Sequence, residues 1–311
     1  MAQASWPRDA ALVAMAAPPL DDVLATAKHA ALLAGEQIIA AWQTTGVVKD
    51  TKSNATDLVT ETDHRCEDMI IELLQEKYPE HSIIGEETAG SSKYQLTDGP
   101  TWTIDPIDGT TNFVHRLALS CVIIAFLHNK EVQVGVVYDP MAKELFWATR
   151  GGGAFLNGNA IKVSDTETLS RAVISMDPGY GRDDIAVSRF TCMQAAILLR
   201  SVRNIRVLGS TGLNMAYVAC GRLDAGFEMG SWELNHGPKI WDFAAGKLLV
   251  EEAGGITRDV AGPLPAEAPL DLLGRSFFAA SSRCLAAEVM DAIVEGQERS
   301  AEGLGETRRE L

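Results

Sequence analysis

One stretch of the chain, TWTIDPIDGTTNF at residues 101–113, decides how the remainder is interpreted. Its first four residues predict a short buried strand that ends at Asp105; a proline then interrupts the strand, and Asp108 follows as a second acid. Residues 109–111 (GTT) allow the backbone to turn into a helix, whose first N–H groups can bind an anion. Two carboxylates this close cannot both be buried and ionised without a cation between them. The stretch therefore indicates either a metal and phosphate site or simply a strand followed by an acidic turn.

Composition narrows the class of protein. The chain has 311 residues, of which 46% are hydrophobic, and a net charge of −15, which makes a nucleic-acid backbone or an anionic membrane surface an unfavourable partner. No apolar run is long enough to span a membrane, and residues 1–19 have an Ala-rich composition without the pattern of a signal peptide. We expect a cytoplasmic protein with one domain over residues 1–311, with flexible ends at about 1–18 and 297–311.

The five cysteines are scattered, and no two form a C-x-x-C pair. Several lie in apolar runs, so buried free thiols in a reducing compartment are expected rather than disulfides or a structural zinc site.

Outward from the opening stretch, the first half predicts two helices and a sheet. Apolar spacing indicates one helix from about residue 21 to 42 and another from about 64 to 78, with Asp63 as the cap of the second. A polar turn is expected at 52–57, and a brief strand at 82–84 is followed by Glu86.

After the opening stretch, the pattern predicts a buried strand at 119–127 and an antiparallel meander over 131–160. The glycines at 151–153 do not meet either nucleotide-binding fingerprint, so they are interpreted as structural. Strands and helices then alternate to a last helix at 284–294. This order favours a layered α/β architecture.

Four acids share one sequence context, because each follows a predicted strand or opens a predicted helix: Glu86, Asp105, Glu228 and Asp242. Each could therefore reach the same end of a sheet, where loops carry functional sites. Carboxylates that converge without a counter-charge imply hard divalent cations. No His or Cys cluster accompanies them, which favours Mg²⁺ over Zn²⁺.

A covalent aspartyl-phosphate mechanism is disfavoured. Haloacid-dehalogenase-type phosphatases use D-x-D-G-T near the start of the fold, whereas this chain has the longer D-P-I-D-G-T at residues 105–110, after about a hundred others.

The chain resembles the inositol monophosphatase family over about residues 20–295. The resemblance rests on motifs that occur in the family's order: DLVT at 57–60 with Asp63, GEE at 85–87, WTIDPIDGTTNFVH at 102–115, GVVY at 135–138, GGAFLNG at 152–158, WD at 241–242 and EEAGG at 251–255.

The resemblance implies a layered αβαβα sugar-phosphatase fold with mixed and antiparallel sheets, usually a homodimer, and Mg²⁺-dependent, Li⁺-sensitive hydrolysis of small phosphate monoesters. By position, it implies a first Mg²⁺ on Glu86, Asp105 and the Ile107 carbonyl, a second on Asp105, Asp108 and Asp242, and a third, weaker ion reached by Glu86. Asp63 and Thr110 are expected to orient and deprotonate the attacking water. The amides of Gly109 and Thr110 are expected to bind phosphate. The polyol hydroxyls are expected against Gly209, Ser210, Thr211, Glu228 and Asp242, beside Ile107 and Asp108.

One departure concerns residues 230–240, which are longer than the family pattern and lie next to the expected hydroxyl-binding residues. His236 in this segment is interpreted as a loop residue. The predicted substrate is an inositol monophosphate such as myo-inositol 1-phosphate. The alternatives are a hexose 1-phosphate, histidinol phosphate, fructose 1,6-bisphosphate or a 3′-phosphonucleotide, and, in another class, an inactive metal-binding scaffold.

Overall fold

The structure is a computed structural model that describes residues 18–43, 50–51, 58–89, 93–233, 235–260 and 269–310. The amino-terminal arm before residue 18, the turn expected at 52–57 and Asp57 of the DLVT motif lie outside the described residues.

Eight α-helices lie in the described part of the chain: α1 Leu20–Trp42, α2 Glu61–Lys77, α3 Glu86–Ala89, α4 Thr110–His115, α5 Asp184–Leu199, α6 Thr211–Ala219, α7 Ile240–Glu252 and α8 Arg283–Glu310. A 3₁₀ turn covers Leu169–Arg171.

The strands of the larger sheet are β3 Ser82–Gly85, β4 Thr101–Asp108, β5 Cys121–His128, β6 Glu131–Asp139, β7 Glu144–Thr149, β8 Gly153–Leu156 and β9 Asn159–Ala160. They lie side by side in chain order. β3 pairs with β4 in parallel, and every later neighbour is antiparallel, so the predicted meander is confirmed.

The smaller sheet contains β10 Val173–Met176, β11 Asn204–Arg206, β12 Ala225–Glu228, β13 Ile256–Arg258 and β14 Phe277–Ala280 in the order β11-β10-β12-β14-β13. It is mixed, because β10 runs parallel to both its neighbours while β14 is antiparallel to both of its own. A separate two-stranded ladder joins β1 Asp50–Thr51 to β2 Leu58–Val59.

Alternating side chains on the buried strands produce five layers. Along β5, Ile123 packs with α6 and α7, whereas Ile124 packs with α1 and α2. Along β14, Phe277 faces the α6–α7 layer, whereas Phe278 faces α5 and α8. Helices α6 and α7 thus lie between the two sheets, and the αβαβα fold is confirmed.

Three predicted element ends were wrong. Asp63 is the third residue of α2 and not its cap, because Thr60 accepts the first N–H groups and Asp63 completes a capping box with it. Strand β4 continues through the proline to Asp108, since a shift in its register with β5 between Asp105 and Asp108 absorbs the missing donor.

The last helix does not end at residue 294 but continues to Glu310. Gly296 allows this extension because a side chain there would clash with α5: a Cβ would lie 2.4 Å from the Met193 backbone. The hydroxyl of Ser300 also hydrogen-bonds that of Ser188 on α5. Strand β13 was not predicted, because three residues are too few to show the alternation of apolar and polar side chains that indicates a strand.

The five cysteines are free, as predicted, but only Cys66 and Cys121 are fully buried. Among the described residues, the helices include none with the length and apolar character that a membrane span requires.

Candidate active site

The turn from β4 into α4 has a backbone shape that its residues impose. Asp105 Oδ1 accepts the Ile107 N–H at 3.0 Å, which closes the backbone after the proline. Gly109 then adopts a left-handed φ of +84°, and a Cβ there would lie 2.8 Å from the Leu119 carbonyl oxygen. Only glycine fits both conditions, and α4 starts directly after it.

The structure brings four acids together next to this turn, and we call Glu86, Asp105, Asp108 and Asp242 the acidic cluster. One carboxylate oxygen from each of Asp105, Asp108 and Asp242 lies within 4.8 Å of the others. Asp105 is at the centre, because it is in hydrogen-bond contact with both Glu86 and Asp242. Glu86 comes from α3, which follows β3, and Asp242 from the first turn of α7.

Burial disfavours the charged forms of the three aspartates of the cluster, and repulsion adds to this at Asp105 and Asp242. Burial, followed by the charges of Glu86, Asp108 and Asp242, raises the pKa of Asp105 well above its ordinary range. Burial raises the pKa of Asp242 to about 7, with Glu86 and Asp108 adding to the effect. Burial also raises the pKa of Asp108 to about 6, although hydrogen bonds from Ser210 and Gly212 oppose the shift. Added positive charge would therefore stabilise the ionised form of these aspartates.

The donors of the cluster fit a hard divalent cation. They are carboxylate oxygens, and the neighbouring Ile107 carbonyl offers another oxygen. The Cys121 thiol lies 3.5 Å from Asp108 Oδ2, but burial raises the pKa of this thiol, so it remains a neutral hydrogen-bond donor. This donor set, with oxygen atoms and no thiolate or imidazole, is typical of sites for hard divalent cations.

A buried Asp–Thr pair lies beside the cluster. The Thr110 hydroxyl is 3.2 Å from Asp63 Oδ1 and 2.9 Å from the Ile107 carbonyl oxygen, and it can donate its proton to either. Thr60 holds the other oxygen of Asp63 through its N–H at 2.9 Å and through its hydroxyl. The carboxylate is therefore oriented from one side and contacts Thr110 on the other.

Asp108 links the acidic cluster to the start of α6. Its Oδ2 accepts the Ser210 hydroxyl at 2.6 Å and the Gly212 N–H at 2.7 Å, and its Oδ1 accepts the Thr211 N–H at 3.2 Å. The positive end of α6 thus stabilises this carboxylate. Ser210 uses its hydroxyl on Asp108, a contact that the sequence did not indicate.

Next to the cluster lie Gly209–Thr211, 228–233 and 235–239, which we call the loop wall. Asp177, at the end of β10, accepts the Gly209 N–H at 2.9 Å and the Asn214 side-chain amide. Asn112 donates to the carbonyl oxygens of Leu208 and Gly209. Two buried polar side chains therefore hold the segment before α6 in place.

Glu228 ends β12, in the smaller sheet, so the acids do not share the end of one sheet as predicted. They meet because α7 and the two sheets converge. Burial raises the pKa of Glu228 well above its usual range, and the charges of Asp177, Asp242 and Asp108 add to this. The Thr211 hydroxyl donates to its Oε2 at 3.4 Å.

The long segment at 230–240 is held by a buried arginine. The guanidinium of Arg275 donates to the carbonyl oxygens of Gly237 and Pro238, at 2.6 Å and 3.1 Å, and lies 4.6 Å from the centre of the Trp232 ring. The hydroxyl of Tyr94 accepts the Ile240 N–H at 3.0 Å, at the start of the helix that carries Asp242. His236 forms a backbone bridge with Ser231, in agreement with its interpretation as a loop residue.

Four supporting residues were missed from the sequence: Glu67, Asp177, Tyr94 and Arg275. Asp177 follows a strand like the acids that were chosen, and Glu67 is one helical turn from Asp63, so two of them had a detectable signal. The glycines at 151–153 are structural, as predicted, because the N–H groups of Gly151 and Gly153 bond Glu252.

Comparison with known proteins agrees with this geometry. The family model described as the inositol monophosphatase family matches residues 19–300. The chain belongs to the inositol monophosphatase family. An inositol monophosphatase of Dictyostelium discoideum is 47% identical over 208 residues, which cover 67% of this chain and 74% of that protein.

Inositol monophosphatase 2 of Homo sapiens is 40% identical over 281 residues, which cover 90% of this chain and 93% of the human protein. The solved structure of the Thermotoga maritima IMPase superposes with a TM-score of 0.75 at 30% identity, covering 90% of this chain and 99% of that one. As an inositol monophosphatase family member, the chain is a phosphatase, that is, a phosphoric monoester hydrolase.

Proposed function

We propose that the protein hydrolyses inositol monophosphates, with myo-inositol 1-phosphate as a main substrate, to inositol and phosphate. The observation that carries this proposal is the acidic cluster lying beside the Asp63–Thr110 pair. The names of the relatives with 40–47% identity support the choice of substrate.

The acidic cluster would hold Mg²⁺, as two ions with a third, weaker one. Glu86, Asp105 and the Ile107 carbonyl would bind the first, and Asp105, Asp108 and Asp242 the second, with Glu86 also reaching the third. The central position of Asp105, in contact with Glu86 and Asp242, supports its sharing between two ions. When bound, such ions neutralise the phosphoryl oxygens and activate the attacking and leaving oxygens. Li⁺ would inhibit by competing at this cluster.

Asp63 and Thr110 would position the water. With the Thr110 hydroxyl donating to Asp63, the threonine oxygen accepts a hydrogen bond from a water molecule and aims that water at phosphorus. As the bond from water to phosphorus forms, the proton passes towards Asp63 and the ester P–O bond breaks. The leaving alkoxide takes up a proton from solvent water and departs as the alcohol, and Asp63 then gives its proton back to the hydroxide so formed. No protein nucleophile is needed.

Gly109 and Thr110 would donate their backbone N–H groups to the phosphate. The loop wall, through Gly209, Ser210, Thr211 and Glu228, would face the hydroxyls of the polyol together with Asp242 of the acidic cluster. Ile107 and Asp108 would complete the floor between phosphate and metal. Support comes from the position of Glu228, which is near enough to Asp242 and Asp108 for their charges to raise its pKa, after the larger effect of burial.

The test is a substrate panel measured as kcat/KM with and without Mg²⁺ and with added Li⁺. It should contain myo-inositol 1-phosphate, a hexose 1-phosphate, histidinol phosphate, fructose 1,6-bisphosphate and a 3′-phosphonucleotide. We expect the inositol ester to be preferred and its hydrolysis to require Mg²⁺. A preference of about a hundredfold for any other ester would contradict the assigned substrate. Hydrolysis of none of them would support the inactive scaffold instead.

We also propose that the protein is a cytoplasmic homodimer, because members of the family that it resembles are usually dimeric. Light scattering coupled to size-exclusion chromatography should give twice the chain mass of 33.4 kDa. A monomer at micromolar concentration would contradict this part of the proposal.

A further inference from the structure

Helix α2 carries a second buried acid, one turn after Asp63, that the mechanism above does not use. Glu67 is only 1% exposed. Its two carboxylate oxygens accept the backbone N–H groups of Glu87 and Thr88, each at 2.8 Å. Those N–H groups belong to the first turn of α3, which has only four residues.

This contact determines where Glu86 lies. A four-residue helix cannot hold its own shape in water, because nucleating a single turn is unfavourable. Glu86 is the first residue of α3, and its side chain contacts Asp105 at the centre of the acidic cluster. The carboxylate of Glu67 thus fixes the backbone directly after Glu86.

The fit between Glu67 and this backbone is close. A Cβ on Gly85, the residue before Glu86, would lie 2.6 Å from the Glu67 carboxyl carbon. The absence of a side chain at Gly85 therefore allows the carboxylate to reach both N–H groups. Asp63 and Glu67 together join α2 to both halves of the site, since Asp63 contacts Thr110 and Glu67 contacts α3.

We propose that Glu67 is a positioning residue for metal binding: by accepting the N–H groups of Glu87 and Thr88 it holds the Glu86 carboxylate in the acidic cluster. This inference rests on the metal-binding role assigned to Glu86 under the proposed function. It assigns Glu67 no contact with substrate or with the reacting atoms.

The test is Glu67→Gln, which keeps the shape but can accept only one of the two N–H groups. Calorimetric titration of the metal-free protein with Mg²⁺ is the main readout. We expect the Kd for Mg²⁺ to rise about tenfold, the effect typical of losing an outer support of a metal ligand. At saturating Mg²⁺, KM for the substrate should stay within about twofold of the wild-type value, because the loop wall is untouched.

Asp68→Asn is the matched control, since it removes the same charge from the neighbouring, exposed position on α2. Its Kd for Mg²⁺ should equal that of the wild type. Glu86→Gln should weaken Mg²⁺ binding at least as much as Glu67→Gln does.

Two outcomes separate the inference from the function on which it rests. If Glu86→Gln weakens Mg²⁺ binding and Glu67→Gln does not, even with a lower melting temperature, Glu67 is only structural and the inference is wrong. If Glu86→Gln itself leaves the Kd unchanged, the assigned metal site is wrong and the inference falls with it. Should Glu67→Gln not fold, Glu67→Asp replaces it, and a wild-type Kd there likewise overturns the inference.

Discussion

The acidic cluster and the loop wall adjoin each other in the site but are held together differently. In the cluster, burial raises the pKa of Asp105 and Asp242, and the charges of neighbouring carboxylates add to the effect. The wall is held by Asp177, which accepts the Gly209 N–H, and by Arg275, which donates to the Pro238 carbonyl oxygen. The cluster should therefore depend on bound cations for its charged state, whereas the wall should keep its shape without them.

The strongest test of this contrast is Asp105→Asn, at the centre of the cluster. Loss of the carboxylate shared by the two proposed ions should lower kcat/KM by about 1,000-fold or more, equivalent to about 4 kcal/mol of transition-state stabilisation. Steady-state kinetics at saturating Mg²⁺ measures this. Unchanged phosphatase activity would show that the mechanism is wrong.

The same variant should be more stable than the wild type when no metal is bound. Removing one of several buried carboxylates that repel one another lowers the free energy of the metal-free folded state. The melting temperature in EDTA at pH 8 should therefore rise. The exposed Asp68→Asn should leave it unchanged. A fall in the melting temperature of Asp105→Asn would mean that repulsion does not dominate the metal-free cluster.

The second test is the dependence of stability on pH in the metal-free protein. Burial raises the folded-state pKa of Asp108 to about 6 and that of Asp242 to about 7. An unfolded Asp titrates near 3.9, so the folded state binds more protons between about pH 4 and 7. The free energy of unfolding in EDTA should consequently decrease from pH 5 to pH 8.

Urea unfolding at several pH values, in EDTA and in excess Mg²⁺, measures this decrease. Mg²⁺ should reduce it, because a bound cation favours the ionised carboxylates. A free energy of unfolding that rises with pH in EDTA would contradict the repulsion described for the cluster.

The third test addresses the wall through Asp177→Asn. The new amide can accept a hydrogen bond from Gly209 or from Asn214 but not from both, so one buried donor loses its partner. We expect KM to rise about tenfold, in line with the loss of one buried hydrogen bond. The Mg²⁺ concentration for half-maximal activity should be unchanged, and the exposed Asp184→Asn is the control.

If Asp177→Asn changed the Mg²⁺ requirement and left KM unchanged, the loop wall would support metal binding and not substrate binding, contrary to the contrast between the two regions.

The smallest effect is expected for Arg275→Met. Methionine keeps the apolar stem beside Trp232 but donates nothing to Gly237 and Pro238. Since Tyr94 still holds the start of α7, Asp242 should keep its place, and KM should rise only about threefold. Kinetics and a Mg²⁺ titration check this; a loss of activity as large as that of Asp105→Asn would show that the loop is part of the catalytic centre.

Much of the cluster could be predicted from the chain because its residues lie in short contiguous motifs. Asp105, Asp108 and Thr110 fall within six residues, and the strand-then-acid pattern selected Glu86 and Asp242. Their assigned roles remain predictions, but the structure does bring these side chains together. The same pattern placed Glu228 on the wrong sheet, because local periodicity does not say which strands will pair.

Supporting residues were harder to find, since their partners are backbone groups far along the chain. Glu67 bonds N–H groups about 20 residues away, and Arg275 bonds carbonyl oxygens at 237 and 238. A backbone group carries no residue-specific signature, so no motif identifies it as a partner.

By itself, the sequence determined the family, the layered fold and the identity of the acids that converge, because motif and hydrophobic period are local properties. Only the tertiary structure decided how those acids are held: Asp63 as part of a capping box, Asp108 against the start of α6, and Glu86 through Glu67. The reason is physical. The charge state and direction of a buried carboxylate depend on the donors and charges that folding places around it, and these come from distant parts of the chain.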